Sequence, residues 1–185
     1  KEKADAAAPA EAEEDAAPPD ARSVVVNEKV LVSPLVTLDL PLTAYLPVDY
    51  IPDEAVRLGV YQRMAEIEVP DDVDELRQEL RDRFGEPPTA AEHLLIWLQI
   101  KALALAAGVG SVTTTSGEFI VRLPVLGARR REALRRDLAH EYGVSVAQQS
   151  IRLDRRIVDN VWVEKLTGVL EVLARRNRRK QKTPA

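Results

Sequence analysis

The chain has 185 residues, no cysteine and a formal net charge of −4. That length suits one domain with an appendage, or two very small domains. Without cysteine there is no disulfide framework, no thiolate zinc site, no iron–sulfur cluster and no thiol nucleophile.

Residues 1–22 hold nine Ala, three Pro and seven acidic residues, and no large apolar side chain. Such a tract cannot bury enough surface to offset its ordering entropy, so it reads as a disordered acidic linker ahead of a domain spanning 23–185. It is neither an apolar signal core nor a membrane span, and no later run reaches 18 apolar residues, so a cytoplasmic location with no membrane contact is expected. A chain that begins with Lys is expected to be a piece of something longer.

Strand-like runs follow at Ser23–Val26, Lys29–Val32 and Leu35–Leu40. In the last, Val36, Leu38 and Leu40 alternate with Leu35, Thr37 and Asp39, and Pro34 and Pro41 predict an edge position. Pro47 and Pro52 then hold the chain extended. Three helices are predicted next. The first, Asp53–Ile67, carries Val56, Val60, Met64 and Ile67 on one face. The second, Asp72–Phe84, carries Val73, Leu76, Leu80 and Phe84, with Asp72 and Glu75 at capping-box spacing and Gly85 as a left-handed terminator. The third, Ala90–Ala107, is apolar almost all round and therefore central, with Thr89 and Glu92 as its capping box and Gly108 as its stop.

A hairpin is predicted from Ser111–Thr115 and Glu118–Leu123, with Gly117 supplying a positive φ in the turn. An arginine-rich helix follows over Ala128–Tyr142, then short strands at Val144–Ala147 and Ile151–Leu153. A final helix, Val158–Asn177, has Val158, Trp162, Leu166, Val169 and Leu173 on one side and ends in basic residues. The fold class is therefore α+β, helices packed on a small antiparallel β-sheet.

Charge is segregated along this order. Residues 23–122 carry 8 basic and 16 acidic side chains, whereas residues 123–185 carry 15 basic and 7 acidic. Catalytic constellations are absent from the pattern. His93 and His140 stand on different helices without ligand partners at motif spacing, and the Gly108–Gly110 pair closes a helix instead of opening one on a phosphate. Glu79 and Asp82, three apart, read as exposed acids of a charged helix. The arginines of 129–136 and 175–180 leave open a second reading, a basic nucleic-acid-binding accessory domain. Trp97 and Trp162 sit on apolar faces and read as core, not as base-stacking platforms.

Three ordered motifs resemble the C-terminal domain of the bacterial transcription-repair coupling factor. They are Ala44 to Glu54 continuing through Arg57-Leu58 and Tyr61-Gln62-Arg63, then Glu75-Leu76 through Glu79-Leu80-Arg81-Asp82-Arg83-Phe84-Gly85 with Pro87-Pro88, then Lys101-Ala102 through Ala106-Ala107-Gly108-Val109. The resemblance implies a terminal regulatory domain of an ATP-driven double-stranded-DNA translocase that removes stalled RNA polymerase and recruits nucleotide excision repair. In that family the domain packs on a UvrB-like module of the same chain, masks its UvrA-binding surface and restrains translocation. The matched contact positions are Glu79 and Asp82, with Phe84 nearby. Arg81 departs from the neutral residue expected between the acids. The resemblance further implies no catalytic residue, cofactor or metal in this domain. ATP and magnesium, RNA polymerase, double-stranded DNA and UvrA would be engaged by the parent protein.

Overall fold

A computed structural model describes residues 36–182, with side chains described as far as Arg179. The acidic tract 1–22, the runs Ser23–Val26 and Lys29–Val32, Pro34 and Leu35 lie outside the described residues.

The described chain opens with β1 (Thr37–Leu38) and passes through an extended, proline-punctuated segment into three helices. These are α1 (Glu54–Glu66), α2 (Pro70–Phe84) and α3 (Thr89–Ala107). The hairpin β2 (Ser111–Thr114) and β3 (Glu118–Arg122) follows, then α4 (Ala128–Asp137), β4 (Val144–Val146) and β5 (Ser150–Asp154). A single helical turn α5 (Arg155–Val158) and a 3₁₀ turn (Asp159–Val161) lead into α6 (Trp162–Lys182).

The five strands form one sheet in the order β1-β2-β3-β5-β4. It is mixed, not antiparallel as expected, because β1 lies parallel to β2. The three remaining pairings are antiparallel. β1 reaches its place from outside the hairpin and takes the edge its flanking prolines suit. Cross-strand register stacks the apolar residues in rows on one face: Val112, Val121, Ile151 and Val146 in one, Phe119, Leu153 and Val144 in the next.

Two hydrophobic cores result. The first lies under the sheet and joins Val112, Phe119, Val121, Ile151 and Leu153 to Leu134 of α4 and Leu166, Val169 and Leu170 of α6. The second lies between α1, α2 and α3 and is lined by Leu46, Ile51, Val60, Met64, Val73, Leu76 and Leu80. Helix α3 serves both. Its first half gives Ala91, Leu94, Leu95 and Leu98 to the helical core. Its second half gives Ile100, Leu103, Ala104 and Ala107 to the sheet core. This double duty explains why it is apolar all round. By length and composition α3 could cross a membrane, but here both of its halves are packed in cores.

Helix ends show where local signals prevailed. Asp53 caps α1 by accepting from the Val56 N–H at 2.9 Å. Neither expected capping box forms. α2 starts two residues before Asp72, behind Val69, because Pro70 at the first position has φ already set for a helix and no N–H to satisfy. α3 is capped by Pro88 without a side-chain bond, and Glu92 turns to Arg77 instead. Gly108 closes α3 in the left-handed conformation. Gly85 follows α2 at positive φ but with an extended ψ of −170°.

Three further expectations are corrected. The hairpin turn does not use a positive φ at Gly117; Thr115 closes it, its hydroxyl oxygen accepting from the Glu118 N–H at 3.0 Å. α4 ends at Asp137, five residues before Tyr142, and the turn after it needs a left-handed Gly143 at φ 77°. The last helix starts at Trp162, since Asp159 breaks the path at φ 21°, and it runs to Lys182.

Candidate interaction surface on helix α2

Helix α2 divides by its spacing. Val73, Leu76 and Leu80 are buried in the helical core. Asp72, Glu75, Glu79 and Asp82 recur at intervals of three and four, so they share one side of the helix, turned away from that stripe. This row places Glu79 and Asp82 on one side together with Asp72 and Glu75.

The two matched acids differ in their engagement. Glu79 is partly covered and bridges two arginines, Arg63 of α1 and Arg83 one turn on, the latter at 2.7 Å. Asp82 is exposed and has no hydrogen-bond or ion-pair partner among the described residues; Asp72 and Glu75 share that state. Glu79 therefore fixes α2 to α1 while its neighbours stay available.

Arg81 is held chiefly by Glu86, with Asp82 of the acidic row a lesser electrostatic neighbour. Its guanidinium forks onto Glu86, with Nε at 2.7 Å and an Nη at 2.8 Å from the two carboxylate oxygens. That hydrogen bonding raises its already high pKa. Arg77 is held by Asp74 at 2.7 Å and by Glu92 at 3.4 Å. Every arginine of α2 thus has an acidic neighbour, Arg83 sharing Glu79 with Arg63.

Phe84 sits at the margin of the helical core, partly buried. Its ring meets Tyr50 edge-on, with centroids 6.0 Å apart at 67°. The Arg83 guanidinium lies 4.9 Å above its centroid. Tyr50 anchors this corner, its hydroxyl 3.1 Å from the Leu80 carbonyl oxygen and 3.0 Å from that of Gly85. Burial, aided by Glu92 and Glu86, raises the Tyr50 pKa, so the phenol keeps the proton these contacts use. The geometry makes Phe84 a support for the end of α2 more than a free contact.

The remaining candidates have structural places. His93 Nδ1 lies 3.0 Å from the Thr43 carbonyl oxygen, tying α3 to the extended segment before α1. Trp162 stacks on Phe119 with centroids 4.8 Å apart. Trp97 packs against the helical core. Among the described residues no group of three or more His, Asp or Glu is arranged to hold a metal ion. The buried Lys101, which periodicity alone would not single out, donates to the Ala65 carbonyl at 3.2 Å.

Comparison with known proteins bears on the fold. The family described as TRCF domain matches residues 40–127, which hold all of α1, α2, α3 and the hairpin. A transcription-repair-coupling factor of Staphylococcus haemolyticus is 36% identical over 98 residues, covering 53% of this chain and 8% of its own length. That of Staphylococcus epidermidis is 34% identical over 84 residues, covering 45% of this chain and 7% of its own. The chain therefore spans less than a tenth of these relatives. A crystal structure of the C-terminal domain of a transcription-repair coupling factor shares the fold, with a TM-score of 0.64 at 21% identity over 80% of this chain and 96% of that one. Residues 40–127 thus match the TRCF domain family, and the chain shares the fold of a transcription-repair coupling factor C-terminal domain.

Proposed function

We propose that residues 23–185 form a regulatory interaction domain, tethered by residues 1–22, that clasps another module of its own parent protein. Within transcription-repair coupling the partner is a UvrB-like module, and the clasp masks the surface that would bind UvrA. The parent is an ATP- and magnesium-dependent duplex-DNA translocase that displaces stalled RNA polymerase in the cytoplasm. This domain contributes no catalytic group and restrains that motor until polymerase is engaged.

One observation carries the reading: the row Asp72, Glu75, Glu79 and Asp82 on the outer side of α2, with three of the four carboxylates unpaired among the described residues. A basic surface would be steered to such a row, and the contact would loosen with salt. A clasp that must release needs a polar interface of modest area. Phe84 and Tyr50 hold the end of α2 so that Asp82 stays in line with Glu79.

The test is capture of the UvrB-like module by the 185-residue chain. Reversing Glu75 and Asp82 to Arg is expected to weaken capture by more than about tenfold, the scale of a lost charge pair at an interface. Unchanged capture would remove this row from the contact.

A further inference from the structure

The arginines of the second half of the chain are arranged unlike those of the first. Around α2, Arg63, Arg77, Arg81 and Arg83 each meet a carboxylate. On α4 the side chains of Arg129, Arg130, Arg131 and Arg136 have no hydrogen-bond or ion-pair partner among the described residues, and neither does Arg178 of α6. Helix stability does not explain the α4 cluster. Its first turn holds three arginines and no acid, and cations there oppose the helix dipole.

Folding brings the two basic segments together. Arg176 of α6 reaches α4 twice, contacting Asp137 Oδ2 at 2.5 Å and the Ala133 carbonyl at 3.0 Å. Between the helices runs an open groove of about 570 Å³, walled by Arg130, Arg176 and Arg179. Its floor includes Leu126, Leu134 and Leu173, which are only 8%, 2% and 7% exposed. The groove thus offers a partner charge above a lining that is part polar and part apolar. All of α4 and α6 lie beyond residue 127, outside the matched TRCF domain.

We propose that the arginine-rich face of α4 and α6, centred on this groove, is a second binding site that grips the phosphate backbone of duplex DNA. A polyanion needs only cations, and Arg129, Arg130, Arg131, Arg136 and Arg178 have no acidic partner among the described residues to compete with it. The cations are mostly arginine, whose planar fork matches two phosphate oxygens. No aromatic side chain lines the groove, so bases of a single strand find no stacking platform. The chain as a whole carries −4, so attraction to DNA must come from this face and not from overall charge. The site is independent of the α2 clasp, and its loss would leave that reading untouched.

The experiment is fluorescence anisotropy of the 185-residue chain with a labelled duplex of about 25 base pairs, titrated with salt from roughly 20 to 200 mM. Binding is expected at low salt. The triple variant Arg129→Ala, Arg130→Ala, Arg178→Ala should lose at least about tenfold in affinity and flatten the log–log salt slope by about two to three. Removing the same number of charges from the front, as Arg63→Ala, Arg81→Ala, Arg83→Ala, should leave both within about twofold of the parent chain. Absence of binding at the lowest salt overturns the site. So does equal weakening in both triple variants, which would mean general charge. Equal affinity for a single strand of the same length overturns the duplex assignment. Displacement of the duplex by polyglutamate at matched charge would make the groove a seat for an acidic protein instead.

Discussion

Lys101 Nζ donates to the Ala65 carbonyl oxygen at 3.2 Å, joining the middle of α3 to the last turn of α1. The side chain is only 3% exposed, and it stands where α3 passes from the helical core to the sheet core. A cation suits the negative end of α1, yet burial disfavours the charge. Burial is the larger cause and lowers the lysine pKa from 10.5, with Glu68 pulling the other way.

That depression fixes a direction for stability with pH. The unfolded chain holds the proton up to 10.5, while the folded chain releases it earlier. Between the two values unfolding takes up a proton, so stability attributable to Lys101 rises as pH climbs toward 10.5. Lys101→Met should lack this alkaline gain. Tyr50 and Tyr61 act oppositely, since their raised pKa values cost stability as pH passes 10.0. Both tyrosines remain in the variant, so the difference between urea-unfolding profiles of parent and variant isolates the lysine. Parallel profiles from neutral pH to 10 would refute a buried, pKa-depressed ammonium.

The sharing of α3 predicts cooperativity. Leu94 belongs to the helical core and Leu103 to the sheet core. Leu94→Ala and Leu103→Ala should each cost about 2–5 kcal/mol, the usual range for a buried leucine. Because one helix serves both cores, each variant should still unfold in a single step, seen alike by far-ultraviolet circular dichroism and by Trp97 and Trp162 fluorescence. Two separated transitions would show that the cores are independent units.

The Tyr50 hydroxyl makes a narrower prediction. It bridges the Leu80 and Gly85 carbonyls at the end of α2, and its ring braces Phe84. Tyr50→Phe keeps the ring and removes the proton donor, so it should cost about 1 kcal/mol in chemical denaturation. If this corner holds Asp82 in place, the same variant should weaken capture of the UvrB-like module by a few fold, while a distant surface variant of equal stability should not.

Much of this architecture was legible in the sequence because it follows from local periodicity. Val60 and Met64 of α1, and Val73, Leu76 and Leu80 of α2, face inward as their spacing requires. The Glu79–Asp82 pair could be read in the same way, and so could the outer side they share. What local pattern missed depends on partners far along the chain. The parallel β1–β2 pairing joins Thr37 to Ser111, which no local pattern specifies. Glu92 has capping-box spacing but is drawn to Arg77, a residue on another helix. Pro70 starts α2 early by fixing its own φ, which outweighs the capping signal two residues later. The arginine groove was legible only as charge; its walls exist because α6 folds back on α4 through Arg176 and Asp137.

The glycines offer the last prediction, since two of them should respond in opposite directions. Gly143 sits at φ 77°, and a Cβ there would lie 2.9 Å from both Cβ and Cγ2 of Ile157. Those atoms hang from the α5 backbone, and the Gly143 carbonyl accepts from the Asp154 N–H at 2.8 Å just before it, so neither side can retreat easily. Left-handed strain of about 1–2 kcal/mol and a close contact of similar size should make Gly143→Ala lose roughly 2–4 kcal/mol. Gly168 lies within α6, and a Cβ there meets nothing within 4 Å. Gly168→Ala should therefore gain about 0.5–1 kcal/mol by lowering the entropy of the unfolded chain. Urea midpoints of the two variants, taken under one set of conditions, should move to opposite sides of the parent. A Gly143→Ala variant as stable as the parent would mean that the β4 turn does not hold the left-handed conformation on which the position of Ile157 depends.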